Sequence, residues 1–327
     1  MTPTLVDVQA ARSRIAGRVR RTPLVRSDWL SDIGGGDVFL KLESLQITNS
    51  FKARGALNAL LAIVEHSSAA AAPTAIVTAS AGNHGRALAW AAQQVGIPVV
   101  IYTPRRAPAT KLDAIRRHGA DLRAVAETYE ESERLAKEHA RVSGCPFISA
   151  YSHPDLLAAI GTIALEVVED LPGVDQVIVP TGGGGLLAGL AAALDAVAPA
   201  TEVVGVEVEA SHPFAASLAA GRIVEVEVGP TIADGLAGNM DPDNLAFPIV
   251  QALVDRMAIV GERQLEDGIR GLVHHEHLIA EGAGIAGVAA ILGGAVSASG
   301  RRTAVVVSGA NIDSRRLRTI LEGADFA

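Results

Sequence analysis

Hydrophobic and polar positions recur along the chain with two periods, one typical of helices and one typical of strands. Apolar residues at helical spacing predict helices at 5–19, 53–63, 83–95, 110–118, 129–142, 156–170, 186–197, 262–274 and 285–292. Short apolar runs predict strands at 38–42, 75–78, 99–102, 121–125, 177–179, 203–208 and 303–307. Because strands separated by long helices pair in parallel, the pattern predicts an α/β protein with open, mostly parallel sheets flanked by helices.

The length of 327 residues predicts two lobes, because one core seldom organises so long a chain. Residues 67–73 are mostly small, which is typical of a linker. We therefore predict a small mobile domain at 74–153 and a large domain built from 1–73 and 154–327. Four prolines interrupt 211–255, which we predict to be irregular.

The amino-acid composition argues against several classes of function. Hydrophobic residues make up 49% but aromatics only 3%, so with 33 glycines the core is expected to be closely packed Ala, Val, Leu and Ile. The net charge of −8, without a basic aromatic cluster, argues against nucleic acid as a partner. We expect no membrane span and no signal peptide, which makes the cytoplasm the expected location. The one cysteine, Cys145, excludes an intrachain disulfide.

Lys52 is the candidate reacting group. It follows an apolar strand and the polar residues 48–50, which we expect to start a helix. Apolar surroundings lower the pKa of a lysine, and a neutral amine forms a Schiff base with an aldehyde. The alternative is a surface lysine whose stem reaches out to water.

Four consecutive glycines, Gly182, Gly183, Gly184 and Gly185, lie between a predicted strand and a predicted helix. Their backbone N–H groups and the helix N-terminus are suited to an anion such as a cofactor phosphate. No lysine follows them, which excludes the nucleoside-triphosphate loop. The alternative is a tight turn that helix–sheet packing requires.

Three further segments place polar side chains at strand ends or helix starts. Ser80, Asn83 and His84 follow one strand, where they could hold a carboxylate or an aromatic hydroxyl, or simply cap a helix. Ser308 follows the last strand, where a hydroxyl can face a ring nitrogen. Glu281 starts another helix, and its alternative role is a cap.

Together these motifs resemble the threonine/serine dehydratase (ammonia-lyase) family of fold type II pyridoxal-phosphate enzymes, the fold of tryptophan synthase β. The resemblance covers nearly the whole chain. It implies that Lys52 binds the aldehyde of pyridoxal 5'-phosphate, that Phe51 stacks on the ring and that the four glycines bind the phosphate. It further implies that Asn83 bonds the ring hydroxyl and Ser308 faces the ring nitrogen, and we assign Glu281 to the same cofactor site.

The resemblance also implies a function. Lys52 would remove the substrate α-proton, while Ser80, Ala81, Asn83 and His84 would receive the substrate carboxylate. The expected reaction is β-elimination from a β-hydroxy amino acid such as L-threonine or L-serine, giving a 2-oxo acid and ammonia. The family further implies a homodimer. Because the chain stops soon after Ser308, we expect no regulatory domain and no inhibition by isoleucine.

Departures from the family pattern leave alternatives open. Asn49 replaces a common glycine, which leaves 3-hydroxyaspartate, phenylserine or a hydroxyectoine-derived amino acid as possible substrates. Ala81 replaces the second serine of the racemases, so racemisation is the less favoured reaction. Glu207 and Glu209 match only part of a divalent-cation site, and the histidines at 274–277 fit no common zinc spacing. We therefore assign no metal ligand.

Overall fold

The computed structural model describes residues 2–67 and 73–323. Its strands form two sheets. The six-stranded sheet has the order β1-β2-β9-β6-β7-β8, and the three-stranded sheet has the order β3-β4-β5. Their bounds are β1 (Leu24–Arg26), β2 (Asp37–Lys41), β3 (Ile76–Ala79), β4 (Val99–Pro104), β5 (Asp121–Ala126), β6 (Gln176–Pro180), β7 (Glu202–Val208), β8 (Arg256–Val260) and β9 (Arg302–Val306). Among these described strands, only the β1–β2 pairing is antiparallel.

Helices connect the strands and cover the sheets. They are α1 (Leu5–Ile15), α2 (Asp28–Gly34), α3 (Lys52–His66), α4 (Asn83–Val95), α5 (Ala109–Arg116), α6 (Tyr129–Ser143), α7 (Pro154–Asp170), α8 (Gly185–Val197), α9 (Pro213–Ala220), α10 (Ala246–Leu253), α11 (Glu262–Glu276), α12 (Gly282–Leu292) and α13 (Ser314–Glu322). No helix among the described residues is long and apolar enough to cross a membrane.

The large sheet is buried on both faces, which explains why its central strands are continuous apolar runs. Val177 and Val179 face the layer that contains α7 and α8, whereas Ile178 between them faces the layer that contains α11 and α12. Below the small sheet, Leu57 of α3 packs with Leu88 of α4 in a third apolar cluster. Helix α3 thus contacts α4 on the side of the small sheet and α7, which covers the large sheet.

The predicted α/β class and its parallel sheets are confirmed. The strands of the small sheet fall within 74–153 and those of the large sheet fall outside it. The domain boundaries themselves stay a prediction, and residues 68–72 of the predicted linker lie outside the described residues. The first strand of the three-stranded sheet begins at Ile76, so the connection between the two sheets lies before that residue.

Several element bounds were wrong. The first helix ends at Ile15 rather than at residue 19, because the chain turns at Gly17 with φ of 71°. The region 211–255 is not wholly irregular, since α9 and α10 lie in it. The strands β1 and β8 and the helices α2 and α13 were not predicted. Both strands lie at the edges of the large sheet, where short and partly polar sequences carry a weak pattern.

Candidate active site

The site lies at the carboxyl ends of three adjacent strands of the large sheet, β2, β9 and β6. These ends lead to the turn before Lys52, to Ser308 and to the glycine run. In open α/β sheets, ligands bind at the carboxyl ends of the strands. The sheet order therefore brings together three segments that lie far apart in the sequence.

The turn before Lys52 is held by the segment that follows β9. Thr48 and Asn49 both have left-handed backbones, with φ of 64° and 58°. Ala310 N donates to Asn49 O at 2.9 Å, and Phe51 N donates to Ser308 O at 3.1 Å. The expectation that residues 48–50 cap the helix was wrong, because α3 has no side-chain cap and these residues form a strained turn instead.

A buried ion cluster fixes the helix that carries Lys52. Arg54 Nε donates to Glu43 at 2.9 Å, and Arg54 Nη1 donates to Glu166 at 2.6 Å. Lys41 Nζ, at the end of β2, donates to the other oxygen of Glu166 at 2.6 Å. Two cations and two carboxylates thus balance one another away from water, joining β2, α3 and α7.

Lys52 is partly buried, and its amine bonds to a main-chain carbonyl. Nζ donates to Ala150 O at 2.5 Å and lies 4.9 Å from the centroid of the Phe51 ring. Loss of solvent around the amine lowers the pKa of Lys52 to about 8. At pH 7 about a tenth of the amine is then neutral, far more than for an ordinary lysine, and the neutral amine is the form that attacks an aldehyde.

The glycine run connects β6 to α8 and is closely enclosed. Gly184 has φ of 83°, which favours glycine. A Cβ on Gly183 would lie 2.4 Å from Cγ of Tyr151, and one on Gly184 would lie 2.2 Å from Cζ of Phe214. Within the described part of the chain, the N–H groups of Gly182, Gly183 and Gly184 donate to no protein group. Free N–H groups before a helix N-terminus form an anion cradle.

Tyr151 links this cradle to the lysine. Its ring packs against Gly183, and its hydroxyl donates to Asp241 at 2.9 Å. Its neighbour Ala150 accepts the hydrogen bond of Lys52. The structure therefore places the predicted lysine and the predicted phosphate loop on either side of one short segment.

Asn83 and Glu281 lie in direct contact, although 198 residues separate them. Asn83 Nδ2 donates to Glu281 Oε1 at 2.5 Å, and Asn311 Nδ2 donates to Asn83 Oδ1 at 2.6 Å. Burial raises the pKa of Glu281 to about 7, although the bond from Asn83 opposes that shift. The side chain of Glu281 makes no capping bond to α12, which removes the capping alternative.

Ser80 and His84 lie in the loop between β3 and α4. Ser80 Oγ accepts from Gly82 N at 3.1 Å. His84 is buried, with Nε2 at 3.3 Å from Ile148 O, and burial followed by the charge of Lys52 lowers the pKa of His84 to about 3. The imidazole is therefore neutral at physiological pH. Among the described residues, the N–H groups of Ala81, Asn83 and His84 donate to no protein group, so this loop can receive a carboxylate.

Ser308 is buried directly after β9. Its N–H donates to Gly284 O at 3.4 Å, while its carbonyl accepts from Phe51 N. Gly309 follows and accepts from Glu281 N at 3.0 Å. The segment thus contacts both the lysine turn and the start of α12.

The metal candidates have other partners. Glu207 is buried, and its carboxylate accepts from Phe214 N and Ala215 N, each at 2.8 Å, at the start of α9. Within 2–67 and 73–323, no group of three or more His, Cys, Asp or Glu side chains is arranged to hold a metal ion. In the 274–277 cluster, His275 stacks on Trp29 with ring centroids 4.8 Å apart.

Sequence reasoning missed Tyr151, the Ala150 carbonyl and Asn311. Tyr151 and Ala150 carried no usable signal, because their roles come from packing against residues distant in sequence. Asn311 did carry one, as a polar residue three positions after Ser308 in a segment that was already a candidate.

The residues fit pyridoxal 5'-phosphate. An amine with a lowered pKa, a glycine cradle for a phosphate and a buried hydroxyl at a strand end match the aldehyde, phosphate and ring nitrogen of that cofactor. The cradle has no room for side chains, because a Cβ on Gly183 or Gly185 would collide with Tyr151 and one on Gly184 with Phe214. A Cβ on Gly182 would lie 2.9 Å from Gly235 O.

Comparisons with known proteins agree with this fit. A family model described as "Pyridoxal-phosphate dependent enzyme" matches residues 15–309. An L-threonine ammonia-lyase of Thermotoga maritima is 40% identical over 318 residues, covering 97% of this chain and 78% of that protein. Maize serine racemase superposes with a TM-score of 0.90 at 30% identity, covering 98% of this chain and 99% of that one. The processed form of threonine deaminase isoform 2 from Solanum lycopersicum superposes with a TM-score of 0.88 at 30% identity, covering 98% of this chain and 92% of that one.

Proposed function

The chain belongs to the pyridoxal-phosphate-dependent enzyme family, within its threonine/serine dehydratase group, and we propose that it removes ammonia from L-threonine by β-elimination. The products are 2-oxobutanoate and ammonia. The observation that carries the proposal is Lys52, whose lowered pKa and position beside the glycine cradle suit both Schiff-base formation and proton removal. The curated relative at 40% identity, an L-threonine ammonia-lyase, supports the choice of substrate.

The proposed roles of the site residues follow from their chemistry. The N–H groups of Gly182, Gly183, Gly184 and Gly185 would hold the cofactor phosphate, and Phe51 would pack against the ring. When bound, the cofactor withdraws electrons from the substrate α-carbon, which makes the α-proton acidic enough to remove.

On the substrate side, the loop from Ser80 to His84 orients the carboxylate through its free N–H groups. Lys52 accepts the α-proton in its neutral form, which its pKa of about 8 makes accessible near neutral pH. Ser308, a neutral hydroxyl, would hold the ring nitrogen. Because it supplies no positive charge to that nitrogen, loss of the β-hydroxyl is favoured over amino-group transfer.

Racemisation of serine is the runner-up, since a serine racemase shares the fold at 30% identity. Ala81 argues against it, because its side chain carries no acid–base group and two-sided proton transfer needs one on each face of the substrate. Dehydration of 3-hydroxyaspartate, phenylserine or a hydroxyectoine-derived amino acid uses the same groups and differs only in the side-chain pocket.

The test is release of 2-oxo acid and ammonia by cofactor-loaded protein from a panel of L- and D-β-hydroxy amino acids. We expect release with L-threonine, with none from Lys52→Ala. Release from a different panel member would assign that amino acid as the substrate instead. Appearance of D-serine from L-serine without oxo acid would favour racemisation. A normal cofactor band without any product would contradict the elimination reaction.

The active assembly is proposed to be a homodimer in the cytoplasm, as the family implies. Light scattering should give about twice the 33.7 kDa mass of the chain. Cell fractionation should recover the activity with cytosolic markers. A mass of one chain at working concentration would contradict the dimer.

A further inference from the structure

Asn311 lies at the centre of a hydrogen-bond network between the lysine turn and Asn83. Its Nδ2 donates to Thr48 O at 2.9 Å, and its Oδ1 accepts from Arg86 Nη1 at 2.5 Å. A main-chain carbonyl requires a donor and a guanidinium requires an acceptor. The two contacts therefore allow only one orientation of the Asn311 amide.

The orientation of the Asn311 amide in turn determines that of the Asn83 amide. Asn311 Nδ2 also donates to Asn83 Oδ1 at 2.6 Å, which fixes that atom as the carbonyl oxygen. On the other side, Asn83 Nδ2 donates to Glu281 Oε1 at 2.5 Å. Both contacts select the same orientation of the Asn83 amide. One N–H of Asn83 Nδ2 is bonded to Glu281, and the second is left for a ligand.

We propose that Asn311 is a positioning residue that fixes the Asn83 amide so that its second N–H donates to the ring hydroxyl of the cofactor. The inference rests on the proposed function, which assigns Asn83 to that hydroxyl. It extends that function to a residue whose own side-chain partners are protein atoms, namely Thr48, Arg86, Asn83 and, at 3.5 Å, Asn49.

The isosteric change Asn311→Asp tests the orientation directly. Aspartate keeps the shape and still accepts from Arg86, but it has no N–H to give to Thr48 O or to Asn83 Oδ1. Two acceptors would then face each other, and Asn83 would lose one of the two contacts that fix its amide, so its second N–H would no longer be held towards the ring hydroxyl. Loss of a donor to the ionised oxygen raises the pH at which that oxygen loses its proton.

The readout is the visible absorption of cofactor-bound protein as a function of pH, together with the cofactor dissociation constant. For Asn311→Asp we expect the spectral midpoint to move up by about one pH unit and affinity to fall by ~10-fold, the size of a hydrogen bond to a charged group. Asn239→Asp is the matched control, because Asn239 also donates to a main-chain carbonyl, Val226 O at 3.0 Å, but lies outside the site. It should leave both quantities unchanged.

A double-mutant cycle separates positioning from general structural support. Asn83→Ala should shift the midpoint, and adding Asn311→Ala should shift it no further, because the second residue acts through the first. If Asn311→Ala does not fold, the same cycle is run with Asn311→Asp. An unchanged midpoint in Asn311→Asp, or shifts that add in the double variant, would overturn the proposal.

The spectral test is independent of product formation. A wild-type protein that shows the band but releases no 2-oxo acid would defeat the proposed reaction and leave the Asn311 result readable. Absence of the band in the wild type would defeat both proposals together.

Discussion

Adding one methyl group to the glycine loop should selectively weaken phosphate binding. In Gly183→Ala the new Cβ would lie 2.4, 2.6 and 2.8 Å from three atoms of the Tyr151 ring. Carbon atoms pack at about 3.5 Å or more, so the loop or the ring must move by about 1.1 Å. The ring is tethered because its hydroxyl donates to Asp241 at 2.9 Å, so we expect the loop to give way.

Overpacking of this kind costs about 1–3 kcal/mol. If that strain displaces the cradle, the affinity for pyridoxal 5'-phosphate should fall by about 5-fold to 150-fold. The assay is titration of cofactor-free protein with the cofactor, followed by the visible band. Pyridoxal, which lacks the phosphate, serves as a parallel ligand and should lose much less affinity in the same variant.

Two further variants make this prediction specific. Gly229→Ala is the matched control, because a Cβ there would lie 3.6 Å from Ala210 Cβ, an ordinary contact. Replacing Tyr151 by alanine in the Gly183→Ala background removes the obstructing ring and should restore part of the affinity. Equal affinity of Gly183→Ala and the wild type, or equal losses for the two ligands, would refute the reasoning.

Three other predictions follow from the buried charged and titratable groups. The rate of Schiff-base formation at Lys52 should rise with pH around about 8, in stopped-flow absorbance; a midpoint near 10.5 would contradict the lowered pKa. In the folded protein the pKa of His84 is lowered to about 3, from an ordinary value of 6.5 that applies to the unfolded chain. As the pH falls below about 6.5 only the unfolded state takes up this proton, so the free energy of unfolding decreases. Between pH 7 and pH 5 the wild type should therefore lose about 2 kcal/mol more than His84→Gln in urea unfolding. Arg54→Met leaves two buried carboxylates without their cation and should lower the free energy of unfolding by about 3–5 kcal/mol in the same assay, whereas Arg12→Ala, which breaks an exposed pair, should cost under about 1 kcal/mol.

The alternation of strands and helices could be predicted because each residue's burial follows from a period of two or 3.6 along the chain. Helix α4 was predicted with the bounds that the structure gives it, Asn83–Val95. Edge strand β8 was not predicted, because Arg256 and Met257 are only half-buried and the preceding region 211–255 contains four prolines, which suggest a loop. A local pattern weakens wherever only one side of an element meets the core.

The site could be predicted in part for a different reason. The glycine run and Ser308 each follow a strand end, and Lys52 begins a helix after a polar turn, so their chemistry is visible in short stretches of sequence. The assignments of individual roles stay predictions. What the sequence did not reveal is how the stretches meet, as when the strained backbone at Thr48 is held by Asn311.

The sequence by itself determined the α/β class, the candidate lysine and the glycines that a tight anion loop requires, because these depend on periodicity and on residue chemistry. Only the tertiary structure decided that Tyr151 closes over Gly183, that Glu281 bonds Asn83 rather than its own helix, and that a buried ion cluster holds α3. Such contacts join residues that are far apart in the sequence. They depend on strand order and on desolvation, which no local pattern records.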